Sequence, residues 1–421
     1  MTDKVDVMIL GAGIAGLGAA LKSQERDRAA VIFEARGSAG GLLDNFEIQG
    51  FRFDNAVHLS FATEPEVRKI FDKTDYHTHP AEAWNFEKDK WLKHPVQNNL
   101  YPLEPDEKVN LIKSFLNRPN LEADDYESWL RHQYGDAISE RYPIPYTEKY
   151  WKTSASKLST TWIGNRMRRA DLEEILLGAF TDETQNTYYT KEMRYPKKGG
   201  YRAFIEPLIE SSDIKYSHEA HCIDPVNKIV SFTNGQKIQY TTLVSSIPLP
   251  VLVELTLNSP KEVMKSAESL EATSIDLVSV AFNKPIINDL WFYIYDEDIL
   301  ASRAYSPSVK SPDNAPDGCS SLQFEIYSRG LESNYTKEKL IENIIYGLKK
   351  MNIASKSDII FTHHKNLKYG NVIFDIGMEA ERDRVRQYFK SKDIATIGRF
   401  GEWDYLWSNQ SFLSGYRAKL I

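Results

Sequence analysis

The first seventy residues carry a strand, helix and strand pattern. Val5 to Leu10 alternates only weakly and is apolar on both faces, which is typical of a strand buried in a parallel sheet. The pattern then predicts a helix from Ala15 to about Gln24 and a second apolar strand from Ala29 to Phe33. Because parallel strands need a crossover between them, this order predicts an α/β unit at the start of the chain.

Beyond this unit the pattern changes at two places. Residues 71–189 are predicted to be mainly helical, whereas from residue 194 a glycine turn opens a helix and short strands follow. The Asn-Gly pair at 234–235 predicts a hairpin turn. The other predicted elements are amphipathic helices over 126–134 and 171–180, strands near His221 and over 229–232, 237–240 and 243–247, alternating strands over 272–330, a helix over 336–352, a strand over 393–400 and a last helix from Ser411 to about Lys419.

Three glycines follow the first strand at the spacing of a dinucleotide-binding turn. Gly11 lets the strand turn sharply, Gly13 leaves room for a pyrophosphate at the backbone, and Gly16 lets the helix pack closely on the strand. The helix N-terminus then faces the phosphates with its partial positive charge, which also makes Ile14 and Ala15 predicted contacts. The glycine pattern alone is a weak signal, because glycine-rich turns are common.

The residues after the second strand make the signal more specific. Glu34 ends that strand about twenty residues past the glycines, where a carboxylate accepts hydrogen bonds from ribose hydroxyls. Ala35, Arg36, the glycine pair Gly40 and Gly41, and Leu42 follow directly. A nicotinamide enzyme does not require this second close approach of backbone, whereas a flavin beyond the pyrophosphate does. We therefore predict FAD as the cofactor, with NAD as the minority alternative.

These patterns predict an α/β protein: a Rossmann-type FAD-binding domain with a helical insertion and a mixed or antiparallel sheet substrate domain. The helical insertion keeps the cofactor domain discontinuous in sequence. The expected bounds are 1–70, 190–260 and 365–421 for the FAD-binding domain, 71–189 for the helical domain and 261–364 for the substrate domain.

Composition narrows the class of protein. The chain has 421 residues and is 42% hydrophobic, enough for two or three folded domains. Its net charge of −7 argues against nonspecific binding to nucleic acid. Cys222 and Cys319 lie far apart without metal-ligand spacing, so no metal is predicted and both are expected to be reduced thiols. No apolar run approaches about 18 residues, so we expect a cytoplasmic protein without a membrane span.

Further motifs over nearly the whole chain resemble the flavin-dependent UDP-galactopyranose mutases and their close relatives. The first motifs are shared with amine oxidases, protoporphyrinogen oxidase and carotenoid desaturases, whereas the later ones are more specific. They are the glycine pattern with Glu34, Gly40-Gly41, Phe53 to His58, Pro95 to Asn99, Trp162 to Arg166 and Gly398 to Gln410. The resemblance implies conversion of a nucleotide-linked hexopyranose to its furanose, for cell-surface polysaccharides.

The resemblance assigns roles to residues in the first half of the chain. His58 resembles a histidine beside the flavin ring, where its charge state tunes the reduced flavin. Arg166 offers a planar fork of donors to a diphosphate or sugar, and His58 and Arg166 are the predicted catalytic residues. Gln97 and Asn98 are predicted to contact substrate, since amides suit hydroxyl-rich ligands. The structural alternatives are a core histidine, a surface cation and amides that cap turns.

Near the other end, Gly398 and Arg399 follow an apolar strand and are predicted to contact the FAD pyrophosphate. Asn409, Gln410 and Ser411 open the last helix, whose N-terminus the resemblance places at the flavin, where it stabilises the anionic reduced ring. The resemblance implies a redox-neutral reaction in which N5 of reduced FAD attacks the anomeric carbon. An external reductant must first reduce the flavin.

The chain also departs from the mutase pattern. The family carries an arginine ahead of a Tyr-Ser-Pro segment for the substrate diphosphate, whereas Asp298 stands at the matching place here and Arg303 is the nearest arginine. Asp404 stands where relatives often have a basic residue. Either Arg303 has taken over by a shifted register, or the substrate is not UDP-galactopyranose. Tyr369 and Tyr405 are further predicted diphosphate contacts.

Three functions therefore remain open at the level of sequence. The first is a nucleotide-sugar mutase, favoured by the later motifs. The second is an FAD-dependent oxidase or desaturase of the amine oxidase or protoporphyrinogen oxidase type, favoured by the shared motifs and by Asp298. The third is a noncatalytic flavin- or nucleotide-binding protein. The sugar, the nucleotide, the reductant and the oligomeric state are not predicted.

Overall fold

The structure of the protein is a computed structural model that describes residues 3–120, 123–164, 167, 171–184, 190 and 192–419. Its strands are β1 (Asp3–Leu10), β2 (Ala30–Phe33), β3 (Asn45–Ile48), β4 (Phe51–Asp54), β5 (Tyr76–Pro80), β6 (Trp84–Glu87), β7 (Lys90–Lys93), β8 (Glu192–Pro196), β9 (Asp213–Lys215), β10 (Ala220–Asp224), β11 (Ile229–Phe232), β12 (Lys237–Ser245), β13 (Thr273–Phe282), β14 (Trp291–Ile294), β15 (Arg303–Tyr305), β16 (Ser320–Arg329), β17 (Ile359–Leu367) and β18 (Ile394–Thr396).

The helices connect and cover these strands. They are α1 (Ile14–Gln24), α2 (Pro65–Phe71), α3 (Pro105–Leu116), α4 (Tyr126–Tyr134), α5 (Asp136–Arg141), α6 (Pro143–Trp151), α7 (Leu172–Phe180), α8 (Glu206–Glu210), α9 (Leu249–Leu255), α10 (Lys261–Glu268), α11 (Pro307–Lys310), α12 (Lys337–Lys350), α13 (Met378–Lys390), α14 (Gly398–Gly401) and α15 (Ser408–Tyr416).

The first sheet has the strand order β10-β11-β12-β1-β2-β9, with β18 also paired to β12. β1 lies in its centre and runs parallel to β12 on one side and to β2 on the other. Residues Val7 to Leu10 are almost completely buried, as their apolar pattern predicts for a strand covered on both faces. This sheet and α1 confirm the predicted Rossmann-type unit.

The second sheet has the order β17-β13-β16-β15-β14-β6-β7 and is antiparallel except where β14 meets β6. Every residue of β13 is buried, because β16 and β17 flank it and helices and loops cover its faces. The predicted mixed or antiparallel substrate sheet is therefore confirmed. The division of the chain into three domains remains a prediction.

The prediction that residues 71–189 are helical is wrong for their first part. β5, β6 and β7 lie between residues 76 and 93, and the last two belong to the second sheet. Lys88 and Asp89 form the turn between β6 and β7 with φ of 47° and 62°. A turn with both central residues at positive φ usually contains Asn or Gly, so this Lys-Asp pair gave no hairpin signal. The predicted helices over 126–134 and 171–180 correspond to α4 and α7.

The last helix packs against the first. A Cβ atom added at Gly415 of α15 would lie 1.8 Å from the Ala15 carbonyl oxygen, and one at Gly18 of α1 would lie 2.6 Å from that of Phe412. The two backbones are thus in direct contact, and residues more than 380 positions apart form one layer beside β1. The sequence predicted that the last helix begins at Ser411, whereas it begins at Ser408.

Candidate active site

A cavity of about 800 Å³ lies against the carboxyl ends of β1 and β2. Its wall also takes residues from the second sheet, including Ile275 on β13, Tyr327 on β16 and Lys365 on β17. Ligands in open α/β sheets bind at the carboxyl ends of the strands, so the predicted dinucleotide site and this cavity coincide.

The predicted glycine turn forms one end of the cavity. Gly11 adopts a φ of +98°, and a Cβ atom there would lie 2.3 Å from Ser246 Oγ. Gly41 has a φ of +62°, and a Cβ atom on it would lie 3.2 Å from Gly13 Cα, so two backbone segments meet without side chains. The cavity wall includes Gly11, Gly13, Ile14, Ala15, Gly40, Gly41 and Leu42.

Gly16 belongs to the same motif but does not line the cavity. A Cβ atom at this position would lie 2.0 Å from the carbonyl oxygen of Gly11. The structure therefore supports the packing role predicted for Gly16 and corrects its place among the cofactor contacts. Its effect on the site is indirect, since it lets α1 approach the glycine turn.

Glu34 lines the cavity at the end of β2 and is 7% exposed. Its Oε2 accepts a hydrogen bond from the Ala12 backbone at 2.8 Å, and its Oε1 accepts one from the Arg36 backbone at 3.0 Å. Each carboxylate oxygen has a second lone pair, so the predicted ribose contact is compatible with both bonds. Ala35 and Arg36 also line this part of the wall.

His58 lines the cavity on a loop that follows β4. Its Nε2 lies 3.0 Å from the Leu42 carbonyl oxygen and 3.1 Å from that of Asn55. Because both partners only accept, Nε2 carries a proton. Burial lowers the pKa of His58, although the nearby Asp54 carboxylate opposes this shift. The ring is therefore neutral at pH 7, with its single proton on Nε2.

The cavity wall also contains some of the predicted C-terminal contacts. Gly398, Arg399 and Ser411 line the cavity. Arg399 donates through Nη2 to Asn371 Oδ1 at 2.6 Å, and its guanidinium lies 4.7 Å from the Tyr405 ring centre.

Asn409 and Gln410 do not line the cavity, which corrects their prediction as cofactor contacts. Asn409 donates to Glu64 Oε1 at 2.8 Å, and Gln410 accepts the Trp407 backbone N–H at 2.9 Å as a helix cap. Because α15 begins at Ser408, the cavity faces Ser408 and Ser411, which lie three positions apart on one side of the helix. Their neighbours point elsewhere.

Arg303 lines the cavity from β15. Its Nε donates to Glu325 Oε2, and its Nη2 lies 3.3 Å from the Tyr327 hydroxyl. Burial disfavours its charge, but the Glu325 carboxylate raises the pKa of Arg303, so the guanidinium stays charged. Within the described part of the chain, Nη1 has no hydrogen-bond partner. These N–H groups are available to an anion.

A second cavity of about 300 Å³ adjoins the first. Both cavities are lined by Tyr150, Tyr293, Arg303, Tyr405 and Trp407. Its wall is rich in tyrosine and tryptophan, and among the described residues Arg303 supplies its only charged side chain at neutral pH, because burial lowers the pKa of His94 to about 4.

The predicted substrate residues divide between these walls. Tyr369 lines the main cavity and Tyr405 lines both, while Gln97 lines the smaller one. Asn98 lines neither, which corrects its prediction. Its Nδ2 donates to Glu174 Oε2 at 2.7 Å, because the 3-10 turn Val96–Asn98 directs this side chain toward α7. Arg166 lies outside the described residues.

The two acidic departures from the family pattern line neither cavity. Asp298 accepts hydrogen bonds from Tyr346 at 2.6 Å and from Lys350 at 2.9 Å at the surface. Asp404 accepts the Tyr405 backbone N–H at 2.7 Å. Arg303 is the residue that reaches the cavity, so of the two readings left open by the sequence the structure favours the shifted arginine.

Sequence reasoning missed a group of cations at the end of β17. Lys365 and Lys368 line the main cavity, and Lys365 donates to Asn55 Oδ1 at 2.8 Å. Polar residues directly after a strand were the available signal. Among the described residues, five cations and one acid line the main cavity: Arg36, Arg303, Lys365, Lys368 and Arg399, against Glu34. A chain with net charge −7 thus has a basic cavity.

The residues present fit a flavin dinucleotide. The meeting of Gly13 and Gly41 leaves a cradle for phosphate that a side chain would fill. Arg399 Nε and Asn371 Nδ2 are buried donors that have no partner among the described residues, and both residues line the cavity. Buried donors without acceptors are costly, so an anionic ligand in the cavity would stabilise them. Glu34 lines the same cavity, and its contact with the ribose remains a prediction.

Comparison with known proteins gives the fold a name. The NAD(P)-binding Rossmann-like domain family matches residues 9–74. The crystal structure of reduced UDP-galactopyranose mutase is similar with a TM-score of 0.91 and 24% sequence identity, over 98% of this chain and 94% of that chain. The chain has the fold of UDP-galactopyranose mutase. The predicted fold and the prediction of FAD as the cofactor are confirmed, whereas the residues of the FAD site remain a prediction.

Oxidases share the fold at lower similarity. A double mutant of putrescine oxidase matches with a TM-score of 0.66 and 13% identity, over 99% of this chain and 98% of that chain. Protoporphyrinogen oxidase 2 of Arabidopsis thaliana and mitochondrial protoporphyrinogen oxidase of Nicotiana tabacum are each 29% identical over 108 residues, 26% of this chain. Those matches span only 20% and 21% of the two relatives.

Two further properties bear on the site. In the part of the chain that the structure describes, His, Cys, Asp and Glu side chains form no group of three or more suited to a metal ion. The helices of the described residues include none that is long and apolar enough to cross a membrane.

Proposed function

We propose that the protein is an FAD-dependent nucleotide-sugar pyranose/furanose mutase, similar to UDP-galactopyranose mutase. The observation that carries this proposal is the basic main cavity joined to a tyrosine-rich second cavity with Arg303 at the junction. A dinucleotide and a nucleotide sugar each bring a diphosphate, and both cavities present cations and hydroxyl donors to such groups.

Residues from both ends of the chain would hold FAD. The Gly11 to Ala15 turn and Gly41 would contact the pyrophosphate, Glu34 would contact the ribose, and Arg399 and Ser411 would add contacts from the C-terminal part of the chain. Bound reduced FAD supplies N5 as a nucleophile for the anomeric carbon of the sugar. The chain supplies the rest of the catalysis by positioning, which is worth roughly 7–11 kcal/mol of a barrier.

Arg303 would stabilise the departing nucleoside diphosphate. Its Nη1, which has no partner among the described residues, offers two N–H donors. The Tyr150 ring lies 5.4 Å from the Arg303 guanidinium, so the group is oriented before substrate arrives. Tyr369 and Tyr405 would add phenol donors. The wall of the second cavity is largely aromatic, and such weakly polar surroundings strengthen the arginine contact. Arg166 remains a predicted catalytic residue.

His58 would orient the cofactor without titrating near neutral pH. Its Nε2 proton is committed to the Leu42 and Asn55 carbonyls, so Nδ1 is the nitrogen that can accept a hydrogen bond. Burial lowers the pKa of His58, which favours the neutral ring in this arrangement.

The second candidate function is an FAD-dependent oxidase, which the protoporphyrinogen oxidase and putrescine oxidase matches favour. An amine substrate is cationic and needs an acidic or apolar pocket. The described wall of the second cavity has no acidic side chain and one cation, so it disfavours an amine. The same argument does not disfavour an anionic substrate such as a porphyrinogen carboxylate.

The proposal places the protein in cell-surface polysaccharide biosynthesis, in the cytoplasm, with an external reductant for the flavin. Dithionite-reduced protein should convert UDP-galactopyranose to its furanose form without oxygen, as chromatography would detect. Oxygen consumption with putrescine or protoporphyrinogen, without any sugar conversion, would instead establish the oxidase.

A matched pair of variants tests the role of Arg303. Arg303→Lys should lower mutase turnover by at least about tenfold with unchanged FAD content, because lysine loses the fork that contacts Glu325 and a diphosphate together. Asp298→Asn should leave turnover unchanged, because Asp298 pairs with Lys350 at the surface. Equal effects of the two substitutions would contradict this placement of the substrate.

A further inference from the structure

Glu325 forms hydrogen bonds to two residues that line the main cavity, Val57 and Arg303. It lies on β16, is fully buried, and has hydrogen bonds on both carboxylate oxygens. Oε1 accepts the Val57 backbone N–H at 2.8 Å, and Oε2 accepts from Arg303 Nε and from the Tyr327 hydroxyl at 2.8 Å. One carboxylate thus binds the loop that carries His58 and the cation that faces the second cavity.

The loop is also held by Asn55, whose backbone N–H donates to the Asp44 carbonyl oxygen at 3.2 Å, and by His58, whose Nε2 lies 3.0 Å from the Leu42 carbonyl oxygen. Lys365 holds Asn55 through its side chain at 2.8 Å, and the Tyr305 hydroxyl lies 3.2 Å from the Asp54 carbonyl oxygen. Glu325 is the contact that reaches the loop directly before His58. A shift of the Glu325 carboxylate therefore moves the backbone next to a cavity-lining ring.

Arg303 and the loop compete for the charge of this carboxylate. An anion that binds Arg303 draws positive charge away from Oε2, so the carboxylate becomes a stronger acceptor for the Val57 N–H. In the other direction, a change of charge in the cofactor beside the loop alters the strength of the hydrogen bond from the Val57 N–H to Oε1. Glu325 is thus common to both contacts, and no described side chain other than Glu325 bonds to both Val57 and Arg303.

We propose that Glu325 is a positioning residue that couples diphosphate binding at Arg303 to the cofactor-side loop Asn55–His58, so that diphosphate affinity depends on the oxidation state of the flavin. The inference rests on the proposed function, because it takes Arg303 as the diphosphate site and the loop as the flavin site. By linkage, UDP then shifts the flavin midpoint potential by the equivalent amount.

The test uses the FAD-loaded protein and measures dissociation constants of UDP for the oxidised and the dithionite-reduced forms. The wild-type constants should differ by at least about fivefold, the lower end of typical allosteric coupling. Saturating UDP should shift the midpoint potential by about 20 mV, which is the same factor for a two-electron couple. Equal wild-type affinities in the two states would overturn the coupling.

Two substitutions separate bridging from charge. Glu325→Gln keeps the shape, but whichever way the amide turns, its NH2 meets one of the two donors. Glu325→Asp keeps the charge, but its side chain is one methylene too short to reach both partners. Both should bring the affinity ratio to within about twofold of one while UDP and FAD still bind. Retention of the wild-type ratio in either variant would overturn the proposal.

Asp276→Asn is the matched control, because Asp276 is also a fully buried carboxylate on the second sheet but lines neither cavity. The Asp276→Asn variant should keep the wild-type ratio of UDP affinities. Loss of this ratio in the control would also count against the role proposed for Glu325. Should neither Glu325 variant fold, Tyr327→Phe removes one donor to Oε2 and must change the ratio by at least about threefold. If the wild type binds neither UDP nor inorganic pyrophosphate, the proposed function itself is refuted.

Discussion

Lys310 and Asp54 form an ion pair that is closed off from solvent beneath the loop of His58. Their side chains are 0% and 1% exposed and lie 3.2 Å apart. Asp54 also accepts hydrogen bonds from the Tyr195 hydroxyl at 2.8 Å and from the Tyr201 backbone at 3.1 Å. Burial lowers the pKa of Lys310, and the Asp54 carboxylate opposes this shift. Loss of either partner would leave the other charge buried and uncompensated, so the pair matters for the stability of the fold.

Replacing Lys310 with methionine should lower the free energy of unfolding by about 3–5 kcal/mol, the usual cost of an unpaired buried charge. Denaturant unfolding of the apoprotein measures this. Lys215→Met is the matched control, because Lys215 pairs with Asp213 at 2.9 Å with both side chains half exposed, and such pairs contribute less than about 1 kcal/mol. Similar losses in the two variants would refute the special role of burial.

His94 gives the protein a specific sensitivity to acid. Burial lowers its pKa to about 4 from an ordinary value of 6.5, so between these values the unfolded chain binds more protons than the folded one. Stability should therefore fall as pH falls through this window, by about 1 kcal/mol between pH 6.5 and 5.5. In His94→Asn this contribution is absent. Urea unfolding at both pH values compares them, and parallel losses in both proteins would contradict the assignment.

Single residues show where sequence reasoning succeeds and where it stops. Glu34 was predictable because strand, turn and acid follow one another within a short stretch. Arg303 was a candidate beside Asp298, and only the position of β15 in the sheet shows which of the two faces the cavity. Asn98 was misplaced because its direction depends on packing against α7, more than seventy positions away in the chain.

At the level of elements, the contact between α1 and α15 fixes the cofactor wall. Both helices present small residues to each other, and their cavity-facing ends carry Ala15 and Ser411. Gly415 has no room for a side chain, since a Cβ atom would lie 1.8 Å from the Ala15 carbonyl oxygen. The spacing between these helices is therefore set by backbone contact.

Gly415→Ala should push α15 away from α1. We expect a loss of about 1–3 kcal/mol in unfolding free energy, the usual cost of overpacking, together with weaker FAD binding. Gly37→Ala serves as the control, because nothing lies within 4 Å of a Cβ atom there and its φ is not positive. Thermal unfolding and FAD titration of both variants measure the two effects. Normal FAD affinity in Gly415→Ala would show that the contact between α1 and α15 does not affect FAD binding.

Elements with a strong local period were predicted well, and those defined by partners were not. α4 and α7 show clear amphipathic patterns, and their positions were right to within one residue. β6 and β7 are four residues each and are joined by Lys88 and Asp89, and β6 pairs with β14, which lies about two hundred residues later in the chain. A strand so short is stabilised mainly by pairing with another strand, and a partner that is distant in the chain cannot be found from the local pattern.

At the scale of the whole molecule, the cavity wall is shared by the two sheets, so a bound cofactor should stabilise both. We expect FAD at one hundred times its dissociation constant to raise the free energy of unfolding of the apoprotein by about 2.7 kcal/mol. NAD, the minority alternative, should have no such effect. Gly41→Val should abolish the response, since its Cβ would lie 3.2 Å from Gly13 Cα at a positive φ. Equal stabilisation by NAD would refute FAD as the cofactor.

The contact between α1 and α15 also has a consequence during synthesis on the ribosome. At about 5–20 residues per second, residues 408–416 emerge some 20–80 s after α1. Throughout that interval the face of α1 that α15 will cover has no partner, and one wall of the cavity is missing. Nascent chains should therefore depend on chaperones at this surface, and cofactor loading should follow the synthesis of α15.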